Sequence, residues 1–148
     1  MHIYVDADAC PVKEEIYKVA GRYKLAVTLV ANSWMRTPRL RRVRLKVVSE
    51  SFDAADDWIV ARAGAADIVV TADIPLAARC IEKGAAVLAP TGKPFTKESI
   101  GDVLASRNLM NDLREAGVVT GGPPPFSRKE RSRFLQELDR IIQTKPRE

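Results

Sequence analysis

Five aspartates stand where an α/β chain can build a reactive site. Asp6 and Asp8 follow the apolar opening HIYV, Asp56 and Asp57 fall in ADDWIV, and Asp73 follows DIVVTA. Carboxylates gathered within a few ångströms repel one another, so they must take up protons, find cations or bind metal. The chain has one histidine, His2, and two cysteines, Cys10 and Cys80. A histidine-rich zinc site is therefore not available, and a Ser–His–Asp triad would need His2, at the start of the first strand. A hard, oxygen-bound cation, Mg²⁺ or Mn²⁺, is the natural partner for such a set. It can polarise a phosphate, lower the pKa of a bound water and orient an in-line attack, which is phosphodiester hydrolysis without a protein nucleophile.

Each acid also has a plainer reading. Asp73 and Asp8 are suited to cap the helices that follow them. Asp56 and Asp57, in the first turn of a helix, favour its dipole. Asp6 is hardest to explain away, because a carboxylate directly after an apolar strand is costly to bury without a partner. Asp6 and Asp8 as a D-x-D pair also allow an aspartate-dependent phosphatase, with Asp6 attacking phosphorus and Asp8 serving as acid.

The elements that must position these residues follow from pattern. His2–Asp6 reads as a strand, and Pro11 suits the first turn of a helix carrying Ile16, Val19, Ala20 and Tyr23. Leu25–Ala31 is a buried strand, and Val43–Val47 a strand with one wet face. Asp53 is placed to cap a helix that closes near Gly64. Asp67–Thr71 is a strand, followed by a helix capped by Asp73 and ended by Gly84, then a short strand at Ala86–Ala89. This alternation predicts an α/β three-layer sandwich around a mostly parallel central sheet. Ligands of such sheets bind beyond the carboxyl ends of strands where strand order reverses, so Asp6 and Asp73 share a crevice if their strands are neighbours there. Thr96 to Arg107, continuing to Glu115, reads as helix. Residues 117–148 then hold a Gly/Pro loop, Gly121 to Pro125, and a last helix opened by a Ser127/Glu130 capping box. That helix should dock on the domain through Phe134, Leu135, Leu138, Ile141 and Ile142.

The 148 residues fit one domain, 1–148. No apolar run reaches membrane-spanning length, and Asp6 and Asp8 come too early for a signal peptide, so a soluble cytoplasmic protein is expected. The net charge of +5 permits a nucleic-acid partner without demanding one. Its distribution says more. Arg36, Arg39, Arg41, Arg42, Arg44 and Lys46 form a run free of acids, fit either to track a phosphate backbone or to protect an edge strand. Asn32 and Ser33, after the second strand, could hold a phosphate or a metal-bound water, or simply make a turn. Trp34 could stack on a base or pack in the core. Cys10 lacks a histidine base and reads as structural. Self-association is left open.

The stretches VDADACPVKEEI, ADDWIV, DIVVTADIPLA, EKGAAVLAPTGKPF and TGGPPPFSRKERSRF resemble the YaiI/YqxD family of uncharacterised bacterial proteins over nearly the whole chain. That family is similar in turn to PIN-like domains, which cut RNA with acid-bound Mg²⁺ or Mn²⁺. The likeness implies a PIN-like fold. Asp6 matches the aspartate ending the first PIN strand, Asp56 with Ile59 and Ala63 the acidic helix, and Val70, Thr71 and Asp73 the strand that carries a threonine and a further acid. It implies Asp6, Asp56 and Asp73 as metal ligands with Thr71 supporting them from behind, and the residues themselves add Asp8, beside Asp6, as a candidate fourth. Asp8, Cys10 and the basic stretch Arg39–Arg44 lie outside the PIN pattern and leave the substrate open. The resemblance admits two outcomes: a Mg²⁺/Mn²⁺-dependent ribonuclease, or a PIN-like domain that binds RNA or protein without turnover.

Overall fold

The computed structural model describes residues 1–51, 53–101 and 127–145. Six strands form one sheet in the order β3-β2-β1-β4-β5-β6. They are β1 (His2–Asp6), β2 (Ala26–Ala31), β3 (Val43–Val47), β4 (Ile68–Val70), β5 (Ala86–Leu88) and β6 (Pro94–Phe95). The first five are parallel, and β6 turns back antiparallel on β5. The helices are α1 (Lys13–Tyr23), α2 (Ala54–Arg62), α3 (Ile74–Glu82) and α4 (Arg128–Thr144), with residues 97–101 also helical.

Strand side chains alternate between two cores, because successive residues of a strand point to opposite faces. Ile3 and Val5, Val27 and Leu29, Ile68 and Val70 meet Ile16 and Val19 of α1 and Phe134 and Leu138 of α4. Tyr4, Val30, Val69 and Val87 meet Ile59 of α2 and Leu76, Ala77 and Cys80 of α3. The sheet is thus apolar on both sides, and the molecule is an α/β sandwich of three layers.

Helix α4 buries Phe134, Leu138 and Ile142 almost completely, at roughly 1.5–3 kcal/mol each. At its far end Asp139 accepts hydrogen bonds from Tyr23 at 2.7 Å and Arg22 at 3.0 Å, which tie it to α1. The β5–β6 turn presses closely on α4. A Cβ at Gly92 (φ +91°) would come within 2.6 Å of Arg133 Cγ and 2.7 Å of the Phe134 nitrogen.

Local signals were mostly realised, with differences that have physical causes. Asp73 caps α3, accepting from the Leu76 amide at 3.0 Å, and Ser127 caps α4. Asp53 precedes α2 but makes no side-chain cap bond. Its backbone is left-handed (φ 64°), and its contribution is the carbonyl that accepts from Asp57 N at 2.8 Å. Helix α1 starts at Lys13, two residues past Pro11. Asp8 does not cap it, because a 3-10 turn over Ala7–Ala9 carries that side chain toward β2. Strand β6, too short to leave a periodic trace, was not anticipated. The helix expected from Thr96 is present at 97–101, and its continuation to Glu115 lies outside the described residues, as does the Gly121–Pro125 loop. Among the described residues no helix is long and apolar enough to cross a membrane.

Candidate functional site

The chain runs outward from β1 to β3 and then returns to place β4 on the other side of β1. Strand order therefore reverses between β1 and β4, and loops leaving these two strands in opposite directions open a crevice beyond their carboxyl ends. Val5 pairs with Val70 across this junction, so Asp6 and Thr71 leave the sheet side by side.

Thr71 is 1% exposed and uses its hydroxyl twice. It donates to Asp6 Oδ2 at 2.9 Å and accepts from the Asp73 amide at 3.0 Å. A buried hydroxyl needs such partners, and here satisfying it orients one acid and anchors the backbone of another. Asp73 Oδ1 is engaged by the Leu76 amide. Capping and site membership therefore coexist in this residue, one oxygen serving the helix.

Asp6, Asp8, Asp56 and Asp73 all line one cavity of about 320 Å³, together with Asn32. Asp8 arrives on the 3-10 turn and accepts from the Asn32 amide at 2.9 Å, which joins the ends of β1 and β2. Asp56 comes from the first turn of α2 and makes no hydrogen bond or ion pair among the described residues. Its neighbour Asp57 lies one residue further round the helix and pairs with Arg79 at 2.9 Å. Ser33 does not line the cavity.

Glu50, Ser51 and Asp53 complete the rim and were not anticipated as site residues. The signal was present. The rule that points beyond the ends of β1 and β4 applies equally to β3, whose last residue, Val47, precedes them closely. Among the described residues six carboxylates thus face the cavity, and no lysine, arginine or histidine lines it.

The electrostatic cost of this gathering falls on two of the acids. Burial, followed by the charges of Asp73, Asp6 and Asp53, pushes Asp56 up to about 6, with Arg79 opposing. Asp6 is also raised, first by burial and then by Asp73 and Asp8, while the Thr71 hydrogen bond works the other way. Cys10 is pushed up to about 11, chiefly by burial, so it is a protonated and unreactive thiol at neutral pH.

The donors are carboxylates with an amide and a hydroxyl, all hard oxygen groups that suit Mg²⁺ or Mn²⁺. Among the described residues, no three His, Cys, Asp or Glu side chains are arranged to hold one ion directly. Mg²⁺ does not require three direct protein ligands. It commonly keeps several waters and takes one or two carboxylates plus substrate phosphate. The donor set fits an ion held in that way.

The basic run divides between the two sides of the sheet. Residues 32–42 are a helix-free crossover from β2 to β3. Arg36, Thr37 and Pro38 line a groove with Lys13 and Tyr17 of α1, and Arg42 lies over Gly21. Arg44 and Lys46 alternate with the core-facing Val43 and Leu45, and so project from the face that carries α2. Arg39 lines an adjoining groove with Trp34, which Arg36, Thr37 and Pro38 also line, and Arg41 is exposed. The six cations therefore do not form one track. Strand β3 is an edge strand, consistent with the protective reading of Arg44 and Lys46.

Comparison with known proteins gives one consistent result. Residues 4–144 match the family described as "Uncharacterized BCR, YaiI/YqxD family". The chain is 57% identical over 140 residues to a UPF0178 protein of Paramagnetospirillum magneticum, covering 95% of this chain and 93% of that one. It is 59% identical over 140 residues to a UPF0178 protein of Rhodopseudomonas palustris strain BisB18, covering 95% and 90%. It is 55% identical over 142 residues to one of Nitrobacter winogradskyi, covering 96% and 90%. No solved structure matches the chain.

Proposed function

Since this chain belongs to the YaiI/YqxD family, we propose that it is a Mg²⁺- or Mn²⁺-dependent nuclease that hydrolyses phosphodiester bonds in RNA. The observation that carries this reading is the Thr71 hydroxyl, which links Asp6 and the Asp73 backbone at the point where strand order reverses. A fold that spends a buried hydroxyl on positioning two acids, and crowds four more carboxylates around them with no cationic side chain among the described residues that line the cavity, suits a cationic guest.

Asp6, Asp56 and Asp73, with Asp8 as a fourth, would hold the ion directly or through water. When bound, it would polarise the scissile phosphate and supply a hydroxide-like water at neutral pH. Thr71 keeps the Asp6 carboxylate in one orientation, so less reorganisation is needed on binding. Asp56, raised to about 6 by burial and its acidic neighbours, is the carboxylate whose environment a bound cation would relieve most.

The test is cleavage of labelled single-stranded and structured RNA with and without Mn²⁺. Cleavage should require the metal and be lost in Asp6→Asn and Asp73→Asn. Activity that survives both substitutions would rule out the mechanism.

One observation favours a second reading, a PIN-like domain that binds RNA without cutting it: among the described residues no three acids converge to ligate an ion directly. Salt-sensitive RNA binding with no metal-dependent cleavage would select it.

A further inference from the structure

The two tryptophans have opposite surroundings. Trp58 is half-buried, meets Tyr4 edge-on at 6.2 Å between centroids, and carries the Arg62 guanidinium 3.9 Å above its ring. Its ring is already in use. Trp34 is 76% exposed and makes no ring contact or hydrogen bond among the described residues. It projects from the helix-free crossover, two residues after Asn32, which lines the acidic cavity. Trp34 lines a groove of about 690 Å³ with Arg36, Thr37, Pro38 and Arg39. Neither arginine has a hydrogen bond or carboxylate partner among the described residues.

A large aromatic ring left in water exposes apolar area at a free-energy cost, and two unpaired guanidiniums beside it concentrate positive charge. Together they match a ligand with flat apolar faces joined by anions. We propose that the Trp34 groove is a binding subsite for single-stranded RNA, with a base stacked on Trp34 and flanking phosphates on Arg36 and Arg39. Every base offers a π-face, so such a platform is tolerant of sequence. A duplex keeps its bases stacked inside and cannot present one to the ring. A strand held here that continues past Asn32, two residues away in the chain and part of the acidic cavity's lining, would reach the carboxylates. This last step rests on the nuclease reading, whereas binding in the groove does not.

The experiment uses the full chain in EDTA, so no metal chemistry contributes. A short fluorescein-labelled oligouridylate is titrated by anisotropy, with tryptophan emission followed in parallel. Single-stranded RNA should bind and quench emission, and a duplex of comparable length should bind more weakly. Trp34→Ala should weaken binding roughly 5- to 150-fold, the loss expected for one base stacked on one ring. Trp34→Phe should restore most of it. Arg36→Ala and Arg39→Ala should each reduce the log–log salt slope by about 0.7. Equal affinity for duplex and single strand, or an unchanged Kd in Trp34→Ala, overturns the proposal. The two readings separate cleanly. Trp34-dependent binding without Mn²⁺-dependent cleavage keeps the subsite and removes the nuclease. Asp6-dependent cleavage with an unchanged Kd and KM in Trp34→Ala keeps the nuclease and removes the subsite.

Discussion

In the acidic cavity, side chains hang from strand ends and helix starts, and a buried threonine ties two of them together. In the groove around Trp34 they hang from an irregular crossover and stand in solvent. The two regions are two residues apart in the chain, at Asn32 and Trp34. One is a set of like charges held by hydrogen bonds against their own repulsion. The other pairs an aromatic ring with charges of the opposite sign and has little to hold it still. The difference follows from where each is built. Groups that must keep a geometry belong on elements whose backbone is already satisfied, whereas a surface that must adapt to a flexible polymer suits a loop.

The comparison breaks most decisively at the cavity floor. Asp6→Asn or Asp73→Asn should reduce Mn²⁺-dependent RNA cleavage by more than about 100-fold, exceeding the 10- to 100-fold typical of groups one shell further out. Asn caps a helix about as well as Asp, so Asp73→Asn should unfold at the wild-type temperature or above by circular dichroism. Wild-type cleavage in that variant, with its melting temperature unchanged, would mean that Asp73 serves the helix alone. Next in size, Thr71→Val removes the hydroxyl while nearly keeping the shape. It should lower cleavage about 10- to 100-fold, with Thr71→Ser retaining most activity in the same assay.

The repulsion within the cavity can be read through pH. Asp56 has a folded-state pKa near 6, above its ordinary 3.8. A raised pKa means that the folded chain holds the proton more tightly than the unfolded one. This contribution to stability is present below about pH 4 and is lost as pH rises through about 6. Asp56→Asn should therefore raise the metal-free Tm at pH 7.5 by about 2–4 °C for each kcal/mol relieved, and have no such effect at pH 3.5. Mn²⁺ should raise the Tm of the wild type at pH 7.5 and do so less in Asp56→Asn. Cleavage should fall in acid as the carboxylates that hold the ion take up protons. A metal-free Asp56→Asn melt that matches wild type at both pH values would show that the acids do not strain the fold. The smallest effect belongs to Asp57, whose exposed pair with Arg79 is worth no more than about 1 kcal/mol. Asp57→Ala should leave the cleavage rate unchanged, marking the line between acids that face the cavity and those that do not.

Much of this architecture is legible in the residues themselves. HIYVD, AVTLVA and VRLKV read as strands because apolar and β-branched residues recur with the period of a pleat. Asp73 before Ile-Pro reads as a cap because both the carboxylate and the proline favour a helix start. The cap expected of Asp53 failed because backbone conformation, not residue type, decides whether a side chain reaches the next amides, and φ 64° takes it elsewhere. The basic run looked continuous because spacing along the chain carries no information about which side of a sheet a crossover takes. Arg42 went to α1 and Arg44 to the opposite face. Glu50 and Asp53 follow the carboxyl end of β3, and escaped notice as site residues because only the folded sheet brings that end beside Asp6.

What the amino-acid order determined by itself was local: where elements begin and end, which faces are apolar, and that the acids follow strands. Tertiary structure alone decided that β1 and β4 are adjacent, and with that everything particular to the cavity. Thr71 lies 65 residues from Asp6 and meets it only through the strand order. The physical reason is range. Propensity, periodicity and capping act over a few residues, whereas the repulsion that lifts Asp56 and the hydrogen bond that steadies Asp6 act through space between segments that only the folded sheet brings together.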